Sequence, residues 1–536
     1  MAMIFDKIII DNYKCFRHLE LDLANELTII VGDNETGKST LLEGINLCLT
    51  QDLSGRNIAN ELSPYLFNRE CASDYIAALN ANKKVAPPSI SIELYFKDEA
   101  EFASLKGTNN SKKLNLPGVR LSIEFDQDFV DEYQSYIVVP SKVKSIPIEY
   151  YKVHWYSFAY STITRRSLAT NVTFIDTTTI RLQYGSDYYI QKIIDDSLDP
   201  KEKAELAVEY RMLKETFADH GALTKINAKL AADKGKISDK QLQVSIDISQ
   251  KSNWETNLTS YLDEIPFQHI GKGDQSILKM LIALDRKASD AHLILIEEPE
   301  NHLSYSTMNY LISKIQEKCA TKQVILTTHS TFVLNKLGMD KVILFAEGQK
   351  AASLEKLSKG TYEYFQKLPG YDTLRLLIAK RPILVEGPSD ELVVQRAYIQ
   401  MKEKHPIEDG FDVIAVGSLA FKRFLEIAVL LDKKVAIVTD NDRDYKNNIE
   451  LKYAEYLKNP SIRICCDKHD NCWTLEAEIA KANDLATMNT IFSRNEVTME
   501  SLIQYMINNK TDCALKLFNY GDKIKIPQYI LDAFSE

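Results

Sequence analysis

Two groups of residues in this sequence have the types and spacing that phosphate chemistry requires. The first is the glycine loop Gly32-Asp33-Asn34-Glu35-Thr36-Gly37-Lys38-Ser39, which stands between an apolar run at 27–31 and a helical pattern. The glycines let the backbone turn tightly and direct N–H groups inward, Lys38 can reach β- and γ-phosphates, and Ser39 can hold Mg²⁺. A chance glycine-rich turn is the alternative, and the strand-to-helix context disfavours it. The predicted nucleotide ligands are Gly32, Asn34, Gly37, Lys38, Ser39 and Thr40.

The acidic end of another apolar run could complete this nucleotide site. The run from His292 to Ile296 leads into Glu297-Glu298-Pro299-Glu300-Asn301-His302-Leu303. A strand that ends in two carboxylates can place Glu297 near Mg²⁺ through water, and Glu298 beside the attacking water as general base. A further apolar run, at 324–328, ends at His329. Lys38, Glu298 and His329 could therefore converge on one phosphate.

The second group consists of acids that follow two more apolar runs. Glu386-Gly387-Pro388-Ser389-Asp390-Glu391 follows 382–385, and Asp440-Asn441-Asp442-Arg443-Asp444 follows 435–439. Crowded carboxylates raise one another's pKa unless divalent cations lie between them. Two such cations can activate water and stabilise the leaving oxygen of a phosphodiester. The predicted metal ligands are Glu386, Asp390, Asp440 and Asp442, to which a family resemblance given below adds Glu476; the alternative is a set of surface acids that cap strand ends.

The composition fits a soluble protein of about two to four domains. The net charge of −10 argues against coating nucleic acid by bulk electrostatics, so such a partner would need a local basic face or bridging metal ions. Eight cysteines without a secretory leader pattern predict reduced thiols and a cytoplasmic location. No apolar run approaches the ~20 residues of a membrane helix, so no membrane association is expected.

Hydrophobic periodicity predicts the elements that would carry these residues. Strands are expected at 4–10, 19–23, 27–31, 90–96, 119–125, 135–139, 146–154 and 172–184. Helices are expected through most of 40–82, at 199–232 and 239–262, and after residue 271. Residues 349–377 are expected to form a connector with a helical part, because the strand pattern lapses there.

An aromatic stretch and a cysteine cluster each allow two interpretations. Tyr150, Tyr151, Trp155, Tyr156, Phe158 and Tyr160, followed by Arg165 and Arg166, could stack on bases, but their pattern favours a sheet core. Cys465, Cys466, His469 and Cys472 could bind zinc. Four neighbouring ligands rarely wrap a tetrahedron, so reduced thiols are favoured and no zinc is expected.

The N-terminal motifs resemble those of a known ATPase family. The turn Asn12-Tyr13-Lys14-Cys15-Phe16 and the glycine loop are similar to the opening of the SMC/RecF-like branch of ABC-type ATPases. Gly271-Lys272-Gly273-Asp274-Gln275 resembles the signature segment that one subunit presses on the other's nucleotide, although Gly271 stands where the family usually has serine; a helix cap is the alternative. Gly271, Gly273 and Gln275 are the predicted residues. The Glu-Glu-Pro-Glu-x-His-Leu run resembles that of OLD (overcoming lysogenisation defect) ATPases, which implies that His329 is their switch histidine.

The C-terminal motifs resemble a Toprim domain of the OLD type. Two apolar strands that deliver acids to one edge, the glycine turn at Gly417, and Thr474-Leu475-Glu476-Ala477-Glu478 are similar to its motifs. The resemblance implies a catalytic lysine near the C-terminus, with Lys510 as the candidate and Lys523 and Lys525 as alternatives.

The resemblance implies an α/β fold with an N-terminal ABC/RecF-like P-loop ATPase, an inserted helical module and a C-terminal, Rossmann-like Toprim domain. The expected bounds are 1–348 for the ATPase, about 198–265 for the module (expected to serve dimerisation), 349–378 for the connector and 379–536 for Toprim. The implied activity is ATP hydrolysis coupled to Mg²⁺- or Mn²⁺-dependent DNA cleavage by a homodimer or higher oligomer. The implied setting is anti-phage defence, with a helicase-like protein or a retron reverse transcriptase and its DNA as partner.

The sequence is also compatible with functions of other classes. The chain could be an ATP-switched DNA-binding or assembly protein whose acids hold a structural ion. Topoisomerase activity would need a nucleophilic tyrosine in a strand-gating domain, which nothing in the sequence indicates. A primase is disfavoured because no zinc-ribbon spacing occurs.

Overall fold

A computed structural model describes most of the chain. The described residues are 5–53, 55–164, 168, 172–176, 182–183, 186–187, 198–232, 243–247, 254, 261–285, 293–319, 322–346, 350–469 and 473–535. Four residues singled out in the sequence, Arg165, Arg166, His292 and Cys472, lie outside them, as does most of the helix expected at 239–262.

The chain divides into two units, each described by itself below. The first comprises residues 1–174, 291–300 and 315–536, and the second comprises 175–290 and 301–314. Among the described residues, no helix has the length and apolar character that crossing a lipid bilayer demands.

The strands are, in chain order, β1 Phe5–Tyr13, β2 Phe16–Asp22, β3 Leu27–Gly32, β4 Asp52–Leu53, β5 Arg56–Asn57, β6 Ile90–Phe96, β7 Lys106–Gly107, β8 Leu116–Phe125, β9 Tyr151–Ser157, β10 Val172–Asp176, β11 Leu182–Gln183, β12 Ser186–Asp187, β13 Tyr261–Leu262, β14 Ile265–Pro266, β15 Leu293–Glu297, β16 Gln323–Thr327, β17 Val342–Ala346, β18 Lys350–Ser353, β19 Arg381–Val385, β20 Phe411–Ala415, β21 Val435–Val438 and β22 Ile462–Cys465.

The helices are α1 Lys38–Thr50, α2 Arg69–Asn80, α3 Val130–Tyr136, α4 Pro200–Ala218, α5 Gly221–Ala232, α6 Lys272–Asp285, α7 Tyr305–Cys319, α8 Thr331–Leu337, α9 Lys359–Lys367, α10 Thr373–Ile378, α11 Pro388–Lys402, α12 Phe421–Leu430, α13 Leu475–Ala482, α14 Leu485–Phe492, α15 Met499–Asn508, α16 Lys510–Asn519 and α17 Gln528–Asp532. The α/β fold class that the sequence predicts is confirmed.

The first sheet is antiparallel and belongs to the N-terminal part of the chain. Its order is β2-β1-β6-β8-β7, with β9 paired to β8. The aromatic stretch lies in its core, as expected: Trp155 is buried and its Nε1 donates to Cys48 O at 2.7 Å. Tyr160 is the exception, with 64% of its surface exposed.

The second sheet contains the strands that reach the nucleotide site. Its order is β10-β15-β16-β3-β17-β18, and β15, β16, β3 and β17 run parallel. Every residue of β3 is buried, which agrees with its nearly continuous apolar sequence. Gln323, at the start of β16, is fully buried; its Nε2 donates to Phe5 O at 2.8 Å and to Ala24 O at 2.9 Å. That glutamine joins β1 of the first sheet to β16 of the second.

The third sheet is parallel throughout and belongs to the C-terminal part. Its order is β20-β19-β21-β22. Because β19 and β21 are neighbours, the residues that follow them meet at one edge of the sheet.

Three local expectations are wrong. The strand expected at 135–139 is replaced by the end of α3, where Tyr133 is buried and Asp131 and Glu132 occupy the helix's first turn, a favourable place for negative charge. Of the helix expected at 239–262, the described residues 243–247 are not helical and Tyr261–Leu262 form a strand. The connector expected at 349–377 has its helical part, in α9 and α10, but it begins with β18, which pairs with β17 through backbone hydrogen bonds that hydrophobic periodicity does not report.

The second unit contains the long helix α4. Asp199 caps it: its carboxylate accepts from Lys201 N at 2.7 Å and Glu202 N at 2.9 Å, while Glu202 reaches back to Asp199 N. Apolar side chains at helical spacing along α4 are exposed, with 41% of Leu206, 65% of Leu213 and 55% of Phe217 accessible. An exposed apolar stripe of this kind is typical of an interaction surface.

Candidate active sites

The glycine loop has the backbone of a phosphate cradle. Gly37 caps α1 in the left-handed region with φ 102°, and a Cβ there would lie 2.6 Å from the Phe16 ring and 2.8 Å from Cys15 Sγ. Both conformation and space therefore require glycine at this position. Gly32, at the end of β3, would place a Cβ 2.5 Å from Phe345 O. Asn34, Ser39 and Thr40 lie in the loop and the first turn of α1, where backbone N–H groups have no helical partner.

Lys38 is held inside this loop. Its ammonium donates to Gly32 O at 3.0 Å and to Asp33 O at 2.8 Å, and the side chain is buried. Burial lowers the pKa of Lys38, and the charges of Glu298, Asp33, Glu297 and Glu300 oppose that effect. Lys38 thus lies in the electric field of the acidic residues that follow β15, which are distant from it in sequence.

The register of the second sheet explains why these motifs meet. Glu297, the last residue of β15, pairs with Thr327 of β16, and Thr327 pairs with Ile30 of β3. The carboxyl ends of the three strands therefore reach one edge, where the loop, the acids and the histidine begin.

Glu298 and His329 form a pair at this edge. His329 Nε2 lies 3.3 Å from Glu298 Oε1. Glu298 has φ 43°, and its N–H donates to Thr327 O at 3.1 Å. A glutamate in the left-handed region is strained, a feature that clusters at active sites. Burial and then the charge of Lys38 lower the pKa of His329, while Glu298 opposes them.

Glu300 holds the histidine loop, a role the sequence did not assign. Its Oε1 accepts from Thr328 Oγ1 at 2.9 Å and from His329 N at 2.6 Å. Its Oε2 is buried and has no hydrogen-bond partner among the described residues, and burial raises the pKa of this carboxyl. The sequence offered one signal for this role. Glu300 is the third carboxylate of the acidic run, after Glu297 and Glu298, to which the sequence analysis assigned roles.

The signature-like segment lies in the second unit. Gly273, in the first turn of α6, would place a Cβ 2.5 Å from His302 O, so close packing requires glycine there. Gln275 is buried, and its Nε2 donates to Phe267 O at 2.9 Å and Ile270 O at 3.2 Å. Its amide thus supports the preceding loop. A Cβ added at Gly271 would make only an ordinary contact, with Asp274 Oδ2 at 3.5 Å, so space does not require glycine there.

The C-terminal acids are brought together by the third sheet. Glu386 follows β19, and its Oε1 accepts from Thr439 Oγ1 at 2.6 Å, next to Asp440. Asp390, in the first turn of α11, accepts from Gly387 N at 2.9 Å. The two acidic motifs, distant in sequence, therefore share one edge.

Burial and, after it, mutual repulsion raise the pKa values of these acids. Burial, and then the charges of Asp390 and Glu386, raise the pKa of Asp440 to about 9. Burial and the charge of Glu386 raise the pKa of Asp390 to about 6. Glu476 contributes to both shifts. Without cations, the cluster holds protons at neutral pH.

Helix α13 supplies the third side of the cluster. Glu476 is buried, its Oε2 has no hydrogen-bond partner among the described residues, and Lys510 Nζ lies 3.6 Å from its Oε1. The structure adds Glu478, on which the sequence prediction placed no role. Burial raises the pKa of Glu478 to about 8, and Tyr529 acts against that shift through its hydroxyl.

Asp442 is placed differently from the other predicted acids. It is exposed, has φ 49°, and lies beyond Asn441, which is fully buried.

The turn at Gly417 has φ 77°, which glycine adopts without strain, and its N–H donates to Glu386 O at 3.0 Å. The hydrogen bond from Gly417 therefore stabilises the strand end that carries Glu386.

The acids suit divalent cations chemically, although they do not form a finished coordination shell. Over the described ranges, no group of three His, Cys, Asp or Glu side chains is assembled to hold an ion. The donors are carboxylate oxygens, as Mg²⁺ and Mn²⁺ prefer, and the buried Glu476 Oε2 lacks a partner. A divalent cation would also remove the repulsion that raises the pKa of Asp440.

Comparison with family models identifies both parts of the chain. The model described as "AAA domain" matches residues 7–359. The model described as "Overcoming lysogenization defect protein-like, TOPRIM domain" matches residues 377–442. These matches confirm the prediction of an ATPase joined to an OLD-like Toprim domain.

This chain matches only part of the length of each similar protein. "Endonuclease GajA" of Bacillus cereus is 24% identical over 29% of this chain and 27% of the endonuclease. "Structural maintenance of chromosomes protein 6" of Saccharomyces cerevisiae is 36% identical over 15% of this chain and 7% of that protein. The chain thus matches about a quarter or less of the length of either relative.

A solved structure of an SMC head bound to the C-winged helix domain of ScpA is also similar. It is 15% identical and covers 66% of this chain and 100% of that chain, with a TM-score of 0.35.

Proposed function

The chain belongs to the AAA domain family and joins that domain to an OLD-like Toprim domain, and from this premise we propose that it is an ATP-hydrolysing, divalent-metal-dependent DNA endonuclease. The observation that carries the proposal is the crowding of Asp440 by Glu386 and Asp390 at one sheet edge. Similarity to an endonuclease, although limited to part of that protein, supports the same reaction class.

ATP hydrolysis would use the edge of the second sheet. Lys38 and the N–H groups of the loop would bind the phosphates, and Ser39 with Glu297 would hold Mg²⁺. Glu298 would accept a proton from the attacking water. His329, kept mainly neutral by its lowered pKa, would contact the γ-phosphate from beside Glu298.

DNA cleavage would use the edge of the third sheet. Glu386, Asp390, Asp440 and Glu476 would hold Mg²⁺ or Mn²⁺, with Asp442 reaching in from the exposed turn. Cations bound there would supply a nucleophilic water and charge stabilisation for the leaving oxygen. Lys510, beside Glu476, would stabilise negative charge on the scissile phosphate.

We also propose an oligomeric state, a cellular role and a partner. A homodimer would place Gly271, Gly273 and Gln275 of one copy against the nucleotide of the other, and the exposed stripe of α4 favours a second copy as its partner. The resemblance to OLD proteins supports a cytoplasmic role in anti-phage defence. A helicase-like protein or a retron reverse transcriptase with its DNA would be the corresponding partner.

Plasmid nicking tests the proposal directly. Purified protein is incubated with supercoiled plasmid and Mg²⁺ or Mn²⁺, with and without ATP, and compared with Asp440→Ala. We expect nicking by the wild type, none by the variant, and ATP binding by both. Nicking that survives Asp440→Ala would remove the Toprim assignment. A wild type that hydrolyses ATP and binds DNA without nicking would instead be an ATP-switched assembly protein.

A further inference from the structure

Beside the Toprim acids, an indole ring lies within reach of two cationic side chains. The Arg443 guanidinium lies 4.0 Å from the centre of the Trp473 ring, and Lys481 Nζ lies 5.5 Å from the same centre. Both distances fall within the range of cation–π attraction. None of these three residues has a role in the proposed chemistry.

The cluster is attached to the same elements that carry the acids. Arg443 follows Asp442 in the loop after β21, the loop that also contains Asp440. Trp473 directly precedes Thr474, whose side chain caps α13 and so positions Glu476. Lys481 lies in the last turn of α13. The cluster therefore bridges the loop that carries Asp440 and the helix that carries Glu476.

The backbone around Arg443 is fixed in an unusual conformation. Asp442 and Arg443 have φ of 49° and 65°, two successive non-glycine residues in the left-handed region. Arg443 N donates to Asn441 Oδ1 at 2.9 Å, while Asn441 Nδ2 donates to Asp467 O at 3.1 Å and His469 O at 3.0 Å. A fully buried asparagine thus holds the strained turn that presents Arg443.

The guanidinium of Arg443 differs from other stacked arginines of the chain. Arg494 lies 4.5 Å from the Tyr505 ring and is paired with Glu496 at 2.8 Å. Arg423 lies over Tyr364 and donates to Gly360 O. Arg443 is exposed, and among the described residues its guanidinium has no carboxylate within ion-pair distance. Stacking leaves its N–H edge available for an anion.

We infer that Arg443 and Lys481 hold backbone phosphates of the DNA strand beside the scissile one, with Trp473 as the residue that positions Arg443. The inference rests on the proposed function. A chain with net charge −10 and a cluster of acids repels DNA as a whole, so local cations next to those acids are needed to bring a phosphodiester there. The contact is to the backbone, so it is independent of base sequence.

The test separates this inference from the proposed function. DNA binding is measured by fluorescence anisotropy with a labelled duplex, in chains that also carry Asp440→Ala so that cleavage does not interfere. Arg443→Ala is expected to weaken binding about tenfold and to lower the salt dependence by about one phosphate contact. Arg443→Lys should recover part of the affinity, and Trp473→Ala should resemble Arg443→Ala. Arg494→Ala, the matched stacked arginine, should bind like its parent.

Cleavage and ATP turnover complete the test. With Asp440 intact, Arg443→Ala should raise KM for plasmid about tenfold, leave kcat within about threefold, and leave ATP turnover unchanged, which also shows that the chain is folded. Equal DNA affinity and salt dependence for Arg443→Ala and Arg494→Ala would overturn the inference while leaving nuclease activity in place. If the wild type nicks no plasmid, the proposed function fails, and the anisotropy comparison alone decides the inference.

Discussion

His329 Nε2 and Glu298 Oε1 lie 3.3 Å apart, although the residues belong to loops that follow different strands. Lys38 lies in the field of the same glutamate. A carboxylate that is strained, paired with a histidine and close to the lysine of the glycine loop has the surroundings of a general base for ATP hydrolysis.

Replacing Glu298 by glutamine should slow ATP turnover by about 10²- to 10⁴-fold, because the amide cannot accept the proton of the attacking water. Phosphate release measures turnover, and a fluorescent ATP analogue measures binding, which we expect to persist. The exposed Glu355 provides the control Glu355→Gln. Unchanged turnover in Glu298→Gln would show that Glu298 is not the base.

Replacing Glu300 by alanine should also reduce ATP turnover, through the position of His329. The change removes the acceptor of Thr328 Oγ1 and His329 N, which costs about 1–3 kcal/mol of stability at a buried site. We expect kcat to fall about tenfold or more while ATP affinity stays within threefold, with His329→Ala in the Glu300→Ala background adding little further loss. Fully additive losses would contradict the positioning role.

The apo protein should become less stable as pH rises from 6 to 9. The folded pKa values of Asp390 and Asp440, about 6 and about 9, exceed the usual 3.8. Stability from a carboxyl with a raised folded pKa is fully present below the unfolded pKa and is lost as pH rises through the folded pKa. Between pH 6 and 8 the loss comes from Asp440 and from Glu478, whose folded pKa is about 8, and above pH 8 it comes mainly from Asp440, at about 1 kcal/mol per pH unit for each group.

Urea unfolding in a chelator, followed across this pH range, measures that slope. Asp440→Asn should reduce the slope to the part due to Glu478 and stabilise the apo protein at pH 8, because the amide needs no proton to remain neutral. Glu355→Gln should leave the slope unchanged. A slope in Asp440→Asn equal to that of the wild type would show that Asp440 is ionised at pH 8.

Replacing Lys510 by alanine should reduce DNA nicking by about 10²- to 10³-fold, the loss typical of one charge-stabilising donor. Lys510 Nζ lies 3.6 Å from Glu476, whereas Lys523 and Lys525 line a separate cavity of about 610 Å³ together with Gln400 and Pro527. Lys523→Ala and Lys525→Ala should therefore nick plasmid within about threefold of the wild type, a loss well below that of a removed donor. A large loss in either one would transfer the catalytic role to it.

Replacing Asn335 by alanine should destabilise the chain by about 2–4 kcal/mol, because it leaves several buried groups without partners. Asn335 is fully buried; its Nδ2 donates to Pro369 O at 3.1 Å and Tyr371 O at 3.0 Å, and its Oδ1 accepts from Thr373 Oγ1 at 2.6 Å. Urea unfolding is the measurement, with the exposed Asn508→Ala as control. A change below about 0.5 kcal/mol, the scatter of surface substitutions, would mean that water replaces the lost amide.

The motifs were readable from the sequence because they are local. A glycine loop, a strand that ends in acids, and a helix that starts with acids are each encoded within about ten residues. The apolar runs of β3, β15, β16, β19 and β21 predicted buried strands for the same reason, whereas their parallel pairing appears only in the structure. The assignments of single residues to catalysis and metal binding stay predictions.

Other features were not readable because they depend on partners distant in sequence. Strand β18 forms by pairing with β17, and only the first two residues of the strand expected at 135–139 are in regular structure, at the end of α3. Gln275 donates to two backbone carbonyls of the loop before it, a contact that the local pattern does not indicate. Glu300 and Glu478 acquire their environments only from the elements packed against them.

The sequence by itself determined which chemistries this chain carries, because each requires a short run of residue types on a strand or a helix start. Only the tertiary structure decided which side chains share a site. Strand order places Glu386 beside Asp440 and leaves Asp442 exposed, and it sets Arg443 against Trp473 across two elements. Such neighbours are fixed by packing and by long-range hydrogen bonds, and neither is written in the local pattern.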